Sequence, residues 1–230
     1  MTVERKLLGV NPSSDKANVD EVFSTYLYEG NATTKTITNG IDLAGEGGMV
    51  WFKGRDTSFH HELYDTERGV RYKLRASTIE AETYDNYSVT SFNSDGFDID
   101  GGTGINWQTT NDYASWTFRK APKFFDVVTY TGDGVAGRTV AHNLGSDVGM
   151  MFIKKVSATG DWVAYHTAMG SLKADYLNAP STFNKSQFFN STNPTSNSFT
   201  LSSDTLVNGS SITYVAYLFA DNTAEDADDQ

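Results

Sequence analysis

Three carboxylates share the glycine-rich stretch Asp95-Gly-Phe-Asp98-Ile-Asp100-Gly-Gly, and these are the residues best placed to do chemistry. Hard oxygen ligands in such a loop suit Ca²⁺. The spacing is not that of an EF-hand, however, and no Glu closes the loop. The reading preferred for Asp95, Asp98 and Asp100 is an ordinary turn with side chains capping backbone amides, Ca²⁺ being the alternative. Gly132-Asp-Gly134-Val-Ala-Gly137 fits the dinucleotide-binding glycine pattern. That fingerprint needs a following helix to hold a pyrophosphate, and Arg138-Thr-Val-Ala-His142 reads as a strand instead. A hairpin loop is expected there.

The histidines and acids offer less. His60 and His61 are adjacent, and on a strand they would face opposite sides, so both cannot grip one metal. His142 and His166 stand alone, and no Gly-x-Ser-x-Gly elbow occurs. Glu80 with Glu82, or Asp98 with Asp100, could form a glycosidase-like pair, but surface solvation is the default among 29 acids. No catalytic residue, cofactor site or metal site is therefore assigned, and the chain is read as a non-enzyme. Among the aromatics, Trp51 and Trp116 lie in repeated apolar segments and are assigned to packing. Trp107, in Gly101-Gly-Thr-Gly-Ile-Asn-Trp-Gln, has the better claim to a surface role such as stacking on a sugar, although filling a gap in the sandwich is the preferred reading.

Composition bounds the rest. The chain has 230 residues, 18 Lys+Arg against 29 Asp+Glu, and a formal net charge of −11. Such an acidic chain is a poor partner for phosphate backbones, so no nucleic acid is expected. No window approaches the ~18 apolar residues of a membrane span. Met1-Thr-Val-Glu-Arg-Lys lacks the apolar core of a secretory signal. With no cysteine, disulfides, thiol catalysis and Cys-based zinc sites are excluded.

The elements that carry these residues are repeated. Phe23-Ser-Thr-Tyr-Leu-Tyr-Glu-Gly30 returns as Phe125-Asp-Val-Val-Thr-Tyr-Thr-Gly132. Gly48-Met-Val-Trp-Phe-Lys53 returns as Gly149-Met-Met-Phe-Ile-Lys154, and Tyr113-Ala-Ser-Trp-Thr-Phe118 as Tyr214-Val-Ala-Tyr-Leu-Phe219. The order is kept and the spacing is nearly constant, which marks a duplication. The layout is an arm (1–21), unit one (22–121), unit two (122–221) and an acidic tail (222–230). Short runs rich in Val, Ile, Thr and aromatics, separated by Gly, Asn, Asp and Ser, predict strands throughout. Only Ala76–Asn86, with Ser77 as a possible cap, hints at helix. Met49–Phe52 and Met150–Ile153, apolar on successive positions, predict central strands covered on both faces. The fold expected is all-β: two tandem β-sandwich or jelly-roll-like units. The alternative is one concanavalin-like, two-sheet sandwich to which both halves give strands.

These motifs, with Ile37-Thr-Asn-Gly-Ile-Asp-Leu43, Leu63-Tyr-Asp-Thr-Glu-Arg-Gly69, Ser91-Phe-Asn-Ser-Asp-Gly-Phe97 and Arg138-Thr-Val-Ala-His-Asn-Leu-Gly145, resemble a tandem-repeat domain. It belongs to virion structural proteins of tailed, mainly marine, bacteriophages, and the resemblance covers about residues 20–221. It implies a tail-fibre or appendage component at the virion surface, made in the host cytoplasm during assembly. The partners implied are other virion structural proteins (tail, portal-proximal or capsid subunits) and further copies of the chain, a trimer being favoured. Leu7, Leu8 and Val10 give the arm an apolar side that could anchor it on a neighbouring subunit. Two alternatives stand beside this reading: a capsid-decoration protein, and a carbohydrate-binding module that holds host surface glycan through Trp107.

Overall fold

The computed structural model describes residues 18–102, 104–179 and 188–221. The expected arm anchor (Leu7, Leu8, Val10) and acidic tail lie outside the described residues. The first half forms β1 (Phe23–Glu29), β2 (Lys35–Thr38), β3 (Gly48–Gly54), β4 (Glu62–Asp65), β5 (Tyr72–Arg75), β6 (Thr83–Tyr84), β7 (Val89–Asn93), β8 (Gly96–Ile99) and β9 (Asp112–Arg119). The second forms β10 (Phe125–Thr131), β11 (Arg138–Ala141), β12 (Val148–Lys155), β13 (Val163–His166), β14 (Asp175–Tyr176), β15 (Ser198–Leu201) and β16 (Thr213–Ala220). Single short helical turns occur at Val19–Val22, Thr167–Met169 and Thr205–Asn208.

The strands pair into a six-stranded sheet, β1-β9-β3-β4-β5-β6, and a five-stranded sheet, β10-β16-β12-β13-β14. Two small sheets, β2-β8-β7 and β11-β15, complete the set, and every described pairing is antiparallel. Side-chain alternation then decides the layering. From β3, Val50 and Phe52 enter a core with Tyr28, Tyr64, Phe97 and Ile99, which joins the six-stranded sheet to its small sheet. Met151 and Ile153 of β12 do the same in the second half, with Tyr130, Val140 and Phe199. The opposite faces meet each other: Met49, Leu63 and Leu74 pack against Phe125, Val127, Phe152, Val215 and Tyr217. Four layers result, with the two large sheets in the middle. The expectation of an all-β sandwich fold holds, and β3 and β12 are central and covered on both faces. Each half has its own core. The alternative single sandwich describes only the contact between the large sheets.

The repeat extends to polar detail. Tyr28 stacks on Tyr113 at 5.4 Å, and Tyr130 on Tyr214 at 5.1 Å. The Tyr28 hydroxyl donates to the Ile105 carbonyl at 2.5 Å, and the Tyr130 hydroxyl to Val207 at 2.7 Å. Asn106 clasps the loop after β1 through Asn31 and Thr33, as Asn208 clasps Asp133 and Val135 after β10.

Two local expectations are corrected. Gly132–Gly137 is not a hairpin loop, because β10 pairs with β16 while β11 pairs with β15. The segment crosses from a large sheet to a small one, and long-range pairing overrides the local turn signal. Ala76–Asn86 forms turns and the short strand β6 rather than a helix. Its acids are drawn sideways, Glu80 to Arg75 at 3.0 Å and Glu82 to Arg68 at 3.0 Å. The Ser77 hydroxyl, expected as a cap, bonds His60 Nδ1 at 2.8 Å.

Candidate functional site

Trp51 and Trp116 are directly opposed on β3 and β9, two adjacent interior strands of the six-stranded sheet. Their side chains leave on the face that turns toward the five-stranded sheet, yet both are only partly buried. His61, just before β4, meets the edge of the Trp51 indole at 5.8 Å and 81°. Trp51 Nε1 donates to His61 Nδ1 at 2.9 Å. With Nδ1 accepting, a neutral His61 carries its proton on Nε2. Partial burial, then the charge of Lys53, then His60 lower its pKa, so the neutral form prevails at neutral pH.

Around these rings lies an open apolar groove. One part, about 290 Å³, is lined by Trp51, His61, Trp116 and Phe118. A second, about 310 Å³, is lined by Trp51, His61, Ala76, Ser77 and Leu177. Among the described residues, no ionisable side chain other than His61 lines either part. Ser77 and His61 supply the polar groups, so an aromatic floor ends at a hydroxyl and an imidazole.

The second half shows what these positions do when covered. Trp51, Trp116 and His61 correspond in the repeat to Phe152, Tyr217 and Trp162. Phe152 is 8% exposed, and Tyr217 and Trp162 are fully buried. Trp162 stacks on Tyr217 at 6.1 Å and donates from Nε1 to the Arg75 carbonyl at 2.9 Å. The large sheets therefore overlap unevenly: unit one seals the aromatic face of unit two, while part of its own stays open.

The residues singled out by sequence fall elsewhere. Trp107 is 39% exposed in the loop before β9, and its backbone is held by the Tyr113 hydroxyl at 2.9 and 3.2 Å. Tyr113 points into the core under the small sheet, away from the groove, so Trp107 is not part of it. The three aspartates do not converge. The Asp95 carbonyl accepts from Asn39 and Gly40, Asp98 accepts from the Thr36 hydroxyl at 2.7 Å, and Asp100 accepts from the Gly101 amide at 2.8 Å. Among the described residues, no group of three His, Asp or Glu is placed to hold a metal ion. His142 Nδ1 accepts from the Leu144 amide and its ring stacks on Phe199, while His166 Nδ1 accepts from Ala168.

Sequence reasoning assigned Trp51 and Trp116 to packing and passed over the groove. A signal was present in the repeat itself, where two tryptophans and a histidine replace Phe152, Tyr217 and Trp162. What could not be read was which of the two sets the sheet overlap would cover.

The most ionic buried cluster is structural in character. Glu62 sits 3.4 Å from Lys73 and 3.5 Å from Arg75, accepts from the Tyr64 hydroxyl, and Lys73 also pairs with Asp85 at 2.6 Å. Every member is paired. A family model described as a domain of unknown function (DUF7483) matches residues 18–224. No curated protein and no solved structure matches the chain.

Proposed function

Starting from a chain that belongs to the DUF7483 family, we propose a non-enzymatic structural protein of a bacteriophage virion, a tail-fibre or appendage component that presents β-sandwich units for host adhesion. The observation that carries this reading is the fusion of two repeated units into one block. The large sheets share an apolar layer, and the buried Asp65, Arg68 and Tyr217 tie them together. Such a block transmits load and holds surface loops in fixed relation, as a spacer on a particle must. The sequence resemblance supplies the setting: the virion surface, with other virion proteins and further copies of the chain as partners. Symmetric assembly, a trimer in this proposal, would let weak surface contacts act together.

Immunogold electron microscopy on purified particles, with an antibody against the chain, tests the proposal. Label on tails or fibres is the expected result. Label over the head lattice would replace the appendage role with capsid decoration, and particles free of the chain would overturn the reading. A second reading, a carbohydrate-binding module, is favoured by one observation, the open groove at Trp51 and Trp116.

A further inference from the structure

We propose that the groove between Trp51, Trp116 and His61 binds a neutral pyranose ring of a surface glycan. The inference rests on the adhesive reading for its biological sense and names the site and ligand class for it.

The platform is preorganised. β9 is held between β1 and β3, and β3 between β9 and β4, so both indoles stand on interior strands paired on both sides. Flat aromatic faces suit a ligand with an apolar face of its own, and the C–H face of a pyranose supplies one. The same ring carries hydroxyls at its edge. His61 offers Nε2–H, and the Ser77 hydroxyl, bonded to His60 Nδ1, keeps an acceptor lone pair at one end of the groove, which is the polarity pattern such a ring needs. Each part of the groove, about 290 and about 310 Å³, is at the small end of the ~300–1,000 Å³ typical of ligand sites, as a single ring requires.

Charge narrows the class. Among the described residues the groove presents no cationic lining group for an acidic sugar, and a chain of net charge −11 repels one. A quaternary ammonium would also favour aromatic walls. Lys53, however, lies two residues from Trp51 on the same face of β3, and its charge disfavours a cation there, while its ammonium is held by the Gly54, Thr57 and Phe59 carbonyls rather than offered to an acid. A neutral ligand meets neither penalty. Core packing accounts for only part of these residues: Trp51 packs against the edge of the shared core while staying partly exposed, whereas the counterparts Phe152, Tyr217 and Trp162 lie inside it.

The test uses the full chain with methyl β-glucoside, methyl β-galactoside and N-acetylglucosamine, followed by saturation-transfer NMR and tryptophan fluorescence. Galacturonate and choline serve as charged comparisons. At least one neutral sugar is expected to bind saturably, with a Kd of about 1 mM. Trp116→Ala should weaken it about tenfold or more. Ser77→Phe, an exposed change that fills the groove rather than emptying it, should give the same loss with an unchanged melting curve. Trp107→Ala should leave binding intact. The proposal is overturned if none of the three sugars binds, if choline binds in their place, or if Trp107→Ala abolishes binding that Trp116→Ala and Ser77→Phe spare. Sugar binding by a chain absent from particles would refute the virion reading alone, and a particle-bound chain without sugar binding would refute this inference alone.

Discussion

The Tyr217 hydroxyl on β16 donates a 2.7 Å hydrogen bond to the Asp65 carboxylate at the end of β4, joining the two halves of the chain inside their shared core. Arg68 Nε reaches the same Asp65 oxygen at 2.6 Å, and its other nitrogens reach Glu82 and the Leu63 carbonyl. Burial works against the Arg68 charge, but Asp65, Tyr217 and Glu82 more than offset it, so its pKa is raised.

Removing Asp65 takes the nearer of two carboxylates from that guanidinium and leaves it Glu82. Asp65→Ala is expected to cost about 3 kcal/mol, because a buried charge loses its closest partner. Tyr217→Phe removes a hydroxyl bonded to two charged groups but leaves the Arg68–Asp65 pair intact, and should cost about 1.5–2 kcal/mol. Urea unfolding of both variants measures the difference. Equal losses would mean that Arg68 finds another partner.

The Asn clasps allow a matched test of the repeat. Asn106 and Asn208 are fully buried, and each accepts a loop amide and donates to a loop carbonyl. Asn106→Ala and Asn208→Ala should each cost about 1–3 kcal/mol, because each removes a buried side chain that makes more than one hydrogen bond to its loop. Hydrogen exchange should rise at residues 31–33 in the first variant and at 133–135 in the second. Exchange that rises at both places in either variant would show that the two loops are not independently held.

Much of this order is visible in the residues and some is not. Met49–Phe52 and Met150–Ile153 announce central strands because successive apolar side chains must bury on opposite faces. The duplication aligns β1 with β10, β3 with β12 and β9 with β16 for the same reason: core positions tolerate little change in shape. Gly132–Gly137 misleads because a local turn signal says nothing about whether β10 pairs with β11 or with β16. Ala76–Asn86 misleads because Arg68 and Arg75, distant from any helical register, claim its glutamates. The groove at Trp51 and Trp116 depends on how far two sheets overlap, a tertiary quantity that strand periodicity does not contain.

Gly30 and Gly132 close the same corner in each half. A Cβ on Gly30 would lie 2.4 Å from the Trp107 carbonyl oxygen and 2.5 Å from that of Gln108, and one on Gly132 would lie 2.2 Å from the Gly209 carbonyl oxygen. The obstacles are backbone atoms and cannot swing aside. Gly30→Ala and Gly132→Ala should each cost about 1–3 kcal/mol. For a chain of this size that lowers Tm by about 2–4 °C per kcal/mol, readable by calorimetry. An unchanged Tm in either would show that the loop behind it yields.

Alkaline pH sets two buried groups against each other. Burial pushes the Lys154 pKa down to about 8, while its ammonium donates to the Ile79 and Gly160 carbonyls. The unfolded lysine keeps its proton to about pH 10.4. Between these values the unfolded state holds more protons, so this group makes stability climb as pH rises from about 8 to about 10. Burial raises Tyr28, Tyr64, Tyr130 and Tyr217 well above their ordinary value. Unfolded tyrosines lose protons near pH 10 while the buried ones keep theirs, so above that point stability falls. Urea unfolding across this range should therefore show a rise followed by a loss. In Lys154→Met, which keeps the apolar stem and removes the ammonium, the rise should disappear and the loss remain. A rise that survives in the variant would assign it to some other group.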